Sequence, residues 1–312
     1  MSMHRDEREW IWPDFGEQEL IDRLLMPEPD FHNLWLNMMD QMPPREYSDE
    51  VFETGTGYPW PRPDGSFILG EGEGRLLSEL ETAEREALLE EFTGPGSGRT
   101  PMLAIGSNAS PEGLWRKFGH FEDPADRTLL AVAGRIHDFD VAATAELALY
   151  GALPATIVPS QGTKVSAMAV WLTDAQLTQL AWAEIPYWIG RLDTRFEFEP
   201  VVAEAGQEGF DRALVFVNRF GAFGPHGHPL ALGAIPAEDR TVPALSQVEL
   251  LRLTAELTYG SAVTAEQLVR RAFENPNETG AAVTGIMRSN SIPFESDRWT
   301  PYPGPGGRSP AG

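Results

Sequence analysis

The residues best suited to chemistry follow a short apolar run in the first half of the chain. Residues 102–105 lead directly into Gly106-Ser107-Asn108, and Pro111 opens a segment with helical character. Glycine lets the backbone approach a ligand closely, and successive N–H groups ahead of a helix can converge on an anion such as a carboxylate. The pattern predicts a strand, an anion-binding loop and a helix, with a plain strand-to-helix turn as the alternative.

Other residues that could carry chemistry have weaker support in the sequence. His226 and His228 are two potential metal ligands, but a zinc site needs at least three protein ligands, and no carboxylate lies nearby in the sequence. Ser107 lacks the Gly-x-Ser-x-Gly pattern of a hydrolase nucleophile. The chain has no cysteine, which excludes thiolate metal sites, disulfides and cysteine nucleophiles. We therefore predict no metal site and no cofactor.

Two strands and a helix are predicted after the loop, and they would position any residue that acts together with it. The apolar runs 151–159 and 164–172 predict two strands, and Thr173-Asp174-Ala175-Gln176 begins a helix that runs to Ala183-Glu184. Glu184 is thus a single carboxylate at the end of an apolar helix. A solvated residue at a helix end is the alternative interpretation of Glu184.

This order of loop, strands and glutamate resembles the gamma-glutamylcyclotransferase-like family. Members carry a Tyr-Gly-Ser-Asn loop after the first strand, a Gly-x-x-x-Ala-Thr-Ile-like strand, a Val-x-Gly-x-Val-like strand, and a Glu at the end of the next helix. The resemblance covers residues 101–234. Three positions depart from the pattern: Ile105 replaces the loop Tyr, Ala167 replaces the second Gly, and Ile185-Pro186 follow the glutamate.

The resemblance implies an enzyme, an acyltransferase or lyase, that acts on a small gamma-glutamyl amide. The substrate's own α-amine attacks its γ-carbonyl, so that 5-oxoproline forms and an amine or amino acid leaves. It implies Glu184 as the catalytic residue that accepts and then returns a proton. It also implies that Ile105, Gly106, Ser107 and Asn108 bind the substrate, with the loop amides holding its α-carboxylate.

Alternatives remain open at this point. The chain could be a non-catalytic ligand-binding or scaffold member of the same fold, or an accessory to a carbon–nitrogen hydrolase in trans. Tyr150 or Tyr187 could supply the hydroxyl that Ile105 lacks. Trp60 and Arg62 lie in a proline-rich stretch that we expect on the surface, with a ligand-facing role as the alternative.

The distribution of elements predicts an α+β fold. Many strands with few helices and no regular βαβ alternation favour a barrel or a strongly curved sheet. The resemblance implies a small mixed β-barrel with flanking helices and a pocket at its mouth. We divide the chain into an acidic, Trp/Pro-rich, partly helical extension (1–98), a cyclotransferase-like barrel domain (99–240), a C-terminal helical extension (241–300) and a disordered tail (301–312).

Several helices are expected outside the barrel. Apolar residues at helical spacing indicate helices at 17–26, 31–42 and 76–92, the last ended by the glycine-rich stretch 94–98. Capping boxes at 246–249 and 264–267 predict two more, and Asn275-Pro276-Asn277 is expected to stop the second.

Charge and hydropathy narrow the class of partner. The net charge is −23, of which residues 1–100 contribute −15 and residues 101–312 contribute −8. A phosphate backbone would be repelled by this charge, so we predict no nucleic-acid partner. The sequence lacks a signal-peptide pattern and a long apolar run, so we expect a cytoplasmic protein with no membrane partner. The oligomeric state is left open by the sequence.

Overall fold

The structure is a computed structural model that describes residues 10–303. The helices of this part of the chain are α1 (Gln18–Leu24), α2 (Glu28–Asp40), α3 (Asp49–Thr56), α4 (Thr82–Thr93), α5 (Pro111–Phe118), α6 (Pro124–Arg127), α7 (Asp174–Ala183), α8 (Pro200–Ala203), α9 (Gln247–Tyr259), α10 (Ala265–Glu274) and α11 (Pro276–Ser289). The strands are β1 (Phe67–Gly70), β2 (Glu73–Leu76), β3 (Thr100–Ala104), β4 (Leu129–Ala143), β5 (Ala155–Leu172), β6 (Tyr187–Phe198), β7 (Gly209–Asn218), β8 (Ala222–Phe223), β9 (Ala231–Leu232), β10 (Ala237–Glu238), β11 (Ala244–Leu245), β12 (Ser291–Ile292) and β13 (Trp299–Pro301).

Five strands close into a barrel. The hydrogen-bonded order is β5, β3, β7, β6, β4, and β4 pairs back with β5. Strands β3 and β7 run parallel, whereas the other neighbours in the ring are antiparallel. The predicted α+β class with a small mixed β-barrel and flanking helices is confirmed.

Alternation along β3 separates the two faces of the barrel wall. Met102 and Ala104 belong to a buried cluster that includes residues of helices α5 and α7, while Leu103 and Ile105 belong to a second cluster. Both clusters also include helix residues, so the two faces of β3 pack against different parts of the molecule.

Strand β5 is one continuous element where the sequence predicted two strands. Residues 160–163 bulge out of the ladder, because Phe139 of β4 pairs with both Lys164 and Pro159, and the Ser160 hydroxyl bonds Thr163 and Thr241 there. A β-bulge at Asp138 bends this ribbon, and its Oδ1 accepts from the N–H of Gly162, a residue at φ +84°. The partner strand β4 was not predicted, although apolar runs at 129–132 and 139–143 mark it.

The N-terminal third contributes to the same sheet. Helices α1 and α2 lie where short helices were predicted, but the prediction of a helix from Leu76 was wrong. Leu76 ends β2 and pairs with Phe67 of β1, and α4 begins at Thr82. Strand pairing overrides the helical spacing of the leucines here, and β1 continues the sheet through β4.

The C-terminal helices begin where their capping boxes predicted. Both Ser246 and Thr264 accept from the N–H three residues on, and the side chain of that residue bonds back. Helix α11 was not predicted, because Asn275-Pro276 was interpreted as a stop, yet proline is also favourable at the first position of a helix. Within residues 10–303, no helix has the length and apolar character to cross a bilayer.

The predicted disordered tail does not begin at residue 301. Pro301 pairs with Gly190 in the β13–β6 ladder, and the N–H of Tyr302 donates to the carbonyl of Ile189. These contacts attach residues 301 and 302 to strand β6 of the barrel wall. Residues 304–312, the rest of that predicted tail, lie outside the described residues.

One buried ion pair fastens the loop around β10 to the barrel. Asp140 is fully buried, and Arg240 donates to its Oδ2 from Nε at 2.8 Å and to its Oδ1 from Nη2 at 3.0 Å. Removing one partner of such a pair leaves a buried charge without compensation, which is far more costly than losing an exposed pair.

We expect Arg240→Ala to lower the free energy of unfolding by about 3–5 kcal/mol for this reason. Asp140→Asn in the same background should recover part of the loss, because the buried charge is gone. Arg270→Ala, which breaks an exposed pair with Glu266, should cost about 0.5 kcal/mol or less. Urea denaturation of the four proteins measures this, and equal losses for the two single variants would contradict the interpretation.

Candidate functional site

One end of the barrel collects the predicted site residues. Strand β3 ends at the Gly106 loop, the parallel strand β7 ends beside it at Asn218, and β6 begins there with Tyr187, which pairs with Asn218. The first residues of β5 curve to the same end, where the Thr156 hydroxyl accepts from the N–H of Asn218 at 3.1 Å. The barrel mouth is therefore built from four strand ends.

Glu184 reaches this mouth from helix α7. The helix begins with the predicted capping box at Thr173 and ends at Ala183, and the N–H of Glu184 closes the last turn on Leu180. Its carboxylate Oε1 accepts from Asn108 Nδ2 at 3.0 Å. The structure thus brings the predicted carboxylate and the predicted loop into direct contact.

Lys117 completes this contact and was missed by sequence reasoning. Its ammonium donates to Glu184 Oε1 at 2.8 Å and to Asn108 Oδ1 at 2.5 Å, and both charged side chains are mostly buried. Lys117 lies in the last turn of α5, the helix predicted to follow the loop. Its rarity was the available signal, since the chain has only two lysines.

The loop itself is a tight turn. Residues 107–109 form a 3-10 turn, in which the Gly106 carbonyl accepts from Ala109 and the Ser107 carbonyl accepts from Ser110. The first N–H groups of such a turn have no acceptor within it, so they are available to another group.

A tyrosine from the N-terminal third occupies the space in front of this loop. The Tyr58 hydroxyl accepts from the N–H of Ala155 at 2.9 Å, and a Cβ at Gly106 would collide with it. Burial raises the pKa of the Tyr58 phenol, against the opposing effect of hydrogen bonds from the backbone of Ala155 and Ser107. Only glycine at position 106 leaves room for this hydroxyl.

Tyr58 was not among the tyrosines that the sequence suggested. Tyr187 does reach the mouth, where its hydroxyl donates to the Ala155 carbonyl at 3.1 Å. Tyr150 instead stacks its ring on that of Tyr58, with centroids 5.8 Å apart. No local pattern connects Tyr58 to Ala155, because 97 residues separate them in the chain.

The proline-rich stretch contacts the loop as well as the surface. Arg62 donates from Nη2 to the carbonyl of Ile105 at 2.7 Å, and its burial lowers the pKa of its guanidinium. Ile105 itself is buried in the same cluster as Leu103, so its side chain packs rather than offering a polar group. Trp60 lies beneath the Arg116 guanidinium, 4.3 Å from its ring centroid.

The space left at the mouth is small. The loop, Tyr58, Ala155, Tyr187 and Glu184 enclose a cavity of about 30 Å³, which is the volume of about one water molecule. Residues 57 and 59–65 also line a separate groove of about 1090 Å³, with strands β4, β5 and β6 on its other side. A single stretch of backbone therefore borders both spaces.

A second buried carboxyl lies behind the mouth. Glu146 Oε2 accepts from Asn218 Nδ2 at 2.9 Å, and Asn218 pairs with Tyr187 in the sheet. Burial raises the pKa of Glu146 to about 7, opposed by the Asn218 hydrogen bond and reinforced by the negative charge of Glu184. Sequence reasoning did not single out Glu146, since it follows a strand that was not predicted.

The remaining candidates do not join this site. His226 and His228 have ring centroids 6.4 Å apart, and His228 Nδ1 lies 3.2 Å from the carbonyl oxygen of His226. Across residues 10–303, no group of three or more His, Cys, Asp and Glu side chains is arranged to hold a metal ion.

Comparison with known proteins adds no assignment to this geometry. No protein-family model matches the chain, and no curated protein sequence matches it.

The close approach of Gly106 and Tyr58 predicts a coupled effect. Gly106→Ala should lower the free energy of unfolding by about 1–3 kcal/mol, because the new methyl group forces the phenol to move. In a Tyr58→Phe background the same change should cost less, since the hydroxyl is gone. Urea denaturation of the two single variants and the double variant gives the coupling, and strictly additive losses would show that the two residues do not meet.

The raised pKa of Glu146 predicts a pH-dependent stability. Between about pH 4.5 and 7 the folded protein holds a proton on Glu146 that the unfolded chain has released, so stability falls as the pH rises through this window. Glu146→Gln should remove up to about 3 kcal/mol of that fall. Denaturation at pH 4.5 and pH 8 tests it, with exposed Glu112→Gln as the control for deleting one charge. A Glu146→Gln effect equal at both pH values would contradict it.

Proposed function

We propose that this protein is a γ-glutamylcyclotransferase-type enzyme, which converts a γ-glutamyl amide into 5-oxoproline and a free amine or amino acid. One observation supports the proposal above the others. The carboxylate of Glu184 and the Gly106-Ser107-Asn108 loop border one cavity at the mouth of a closed barrel, although 76 residues separate Asn108 from Glu184.

The reaction asks little of the protein beyond orientation and proton transfer. The α-ammonium group of the substrate gives a proton to the Glu184 carboxylate, and the free amine then attacks the γ-carbonyl carbon. A ring C–N bond forms, the bond to the leaving nitrogen breaks, and Glu184 returns its proton to that nitrogen. The same carboxylate then passes the second proton of the ring nitrogen to the released amine, which departs as an ammonium ion. The nucleophile belongs to the substrate, so its effective concentration is already high, and one carboxylate can serve as base and then as acid.

The charges around the mouth suit a substrate with a carboxylate beside an ammonium. Arg62 provides a cation at the carbonyl of Ile105, and Lys117 provides a second cation, which lies between Asn108 and Glu184. Glu184 provides the anion that faces the loop. We infer that the substrate's α-carboxylate lies toward the loop and its cations, and that its ammonium lies toward Glu184.

The developing charge on the γ-carbonyl oxygen needs hydrogen-bond donors. The N–H of Ala155 points into the mouth, where the Tyr58 hydroxyl now accepts from it. In the proposed complex this N–H receives the oxyanion. Donors fixed by a strand backbone require no reorganisation during the reaction, which makes them effective at this task.

We further propose that the barrel is of the cyclotransferase type. This proposal is supported by the order of elements, which is a strand, the Gly-Ser-Asn loop, paired long strands and a helix with a terminal glutamate. Ile105 departs from the tyrosine of the family loop, and the phenols of Tyr58 and Tyr187 enter the same mouth from other elements.

A non-catalytic role in ligand binding or scaffolding is the second candidate. It is favoured by the present occupation of the mouth, where Tyr58 leaves about 30 Å³ and Lys117 pairs with Glu184. A protein of this kind would keep the fold and the loop without turnover.

The two candidates differ in product formation. We expect the wild-type protein to release 5-oxoproline from at least one member of a panel of γ-glutamyl amino acids and γ-glutamyl amines. Glu184→Gln should reduce the rate by about 100-fold or more, because one group is lost as both base and acid. Chromatographic measurement of 5-oxoproline over time gives both rates.

Glu112→Gln is the matched control for this experiment. It makes the same carboxylate-to-amide change at an exposed position of α5 and should leave the rate unchanged. Equal product from wild type and Glu184→Gln would remove Glu184 from the mechanism. Absence of product from the whole panel would favour the non-catalytic candidate.

A further inference from the structure

The group that occupies the proposed ligand site belongs to the protein itself. We propose that Tyr58 is a displaceable plug, whose phenol holds the barrel mouth closed until a small carboxylate ligand takes its place. The identification of that ligand class rests on the proposed function. The closure itself rests on the contacts of Tyr58.

The phenol uses the donors that a ligand would need. Its oxygen accepts from Ala155 N–H at 2.9 Å and lies against Gly106, and the backbone of Ser107 contributes a hydrogen bond. An oxygen acceptor in this position stands in for one oxygen of a carboxylate or a carbonyl. A ligand and the phenol cannot hold these donors together, so their binding is mutually exclusive.

The small volume of the cavity at the mouth also indicates that Tyr58 must leave before a ligand can bind. With the phenol in place, the cavity is about 30 Å³, whereas pockets for small molecules have volumes of roughly 300 Å³ or more. A glutamyl group is several times larger than a water molecule. Displacement of the ring is therefore required before such a group can contact Glu184.

The segment that holds Tyr58 is able to move without disturbing the sheet. Residues 57–65 form neither helix nor strand, and they connect α3 to β1. The groove of about 1090 Å³ lies directly against them. Movement of the segment into this groove requires no change in the hydrogen bonds between barrel strands.

Several contacts hold the closed position and set the cost of opening. Besides the Ala155 hydrogen bond, the Tyr58 ring stacks on Tyr150, and Arg62 donates to the carbonyl of Ile105. A ligand that binds only the open form has its apparent affinity reduced by the fraction of molecules that are open. Removing the phenol removes this cost, and it should therefore tighten binding.

The test measures binding directly and does not depend on turnover. Isothermal titration calorimetry with L-glutamate and with 5-oxoproline is applied to wild type, Tyr58→Phe and Tyr58→Ala. We expect Tyr58→Ala to bind at least about ten-fold more tightly than wild type, with Tyr58→Phe between them. Tyr259→Ala, which removes an aromatic ring on α9 away from the mouth, should bind as wild type does.

Hydrogen exchange on the wild-type protein gives a second readout that needs no variant. Saturating L-glutamate should increase amide exchange in a peptide covering residues 57–65, because the segment leaves the mouth. This measurement decides the matter if Tyr58→Ala does not fold. Equal or weaker binding by folded Tyr58→Ala, absence of binding by every variant, or unchanged exchange at saturation would each overturn the proposal.

Different results would contradict the plug and the proposed enzyme activity. If Tyr58→Ala binds L-glutamate more tightly but the wild-type protein forms no 5-oxoproline from the substrate panel, the plug is supported and the catalytic function is not. Turnover by wild type with an unchanged KM in Tyr58→Ala would support the catalytic function and overturn the plug.

Discussion

The long antiparallel pairing of β4 with β5 is the constraint on which the rest of the structure depends. It closes the ring of five strands, and its bulge at Asp138 bends the ribbon so that Ala155 and Thr156 return to the end where β3 and β7 finish. Without that bend, the start of β5 would lie far from the Gly106 loop. The candidate site exists because one long strand contributes to the wall with one half and to the mouth with the other.

The charged side chains at the mouth are largely buried, and burial sets which partners they need. Glu184, Lys117 and Asn108 form a connected set in which each polar group has a partner, which offsets the cost of withdrawing the two charges from water. Glu146 accepts from the Asn218 amide, and its burial, reinforced by the negative charge of Glu184, raises its pKa. Two carboxyl groups of the same barrel end thus have different partners, an amide for Glu146 and an amide with an ammonium for Glu184.

The N-terminal third is part of the site rather than an addition to it. Strand β1 extends the sheet, Arg62 bonds the loop carbonyl, and Tyr58 fills the cavity. The three prolines of residues 57–65 predicted irregular structure, which this segment adopts, but the expected surface position is wrong for Tyr58, which is buried. Residues 57–65 connect α3 to β1, and packing sets the positions of both elements. The segment between them therefore passes over the mouth.

Sequence alone determined those features that depend on neighbouring residues. The strand before Gly106, the helix after Pro111, and the helices that begin at Thr173, Ser246 and Thr264 follow from local apolar spacing and capping chemistry, and the structure has each of them.

Tertiary structure decided the features that depend on distant residues. The continuity of β5, the pairing of Lys117 with Glu184 and the insertion of Tyr58 all require partners far away in the chain. Local periodicity has no information on such partners, because closing a barrel joins residues whose sequence separation is large. The sequence therefore indicated Glu184 and the loop at 106–108, and barrel closure decided that Lys117 and Tyr58 meet them at the mouth.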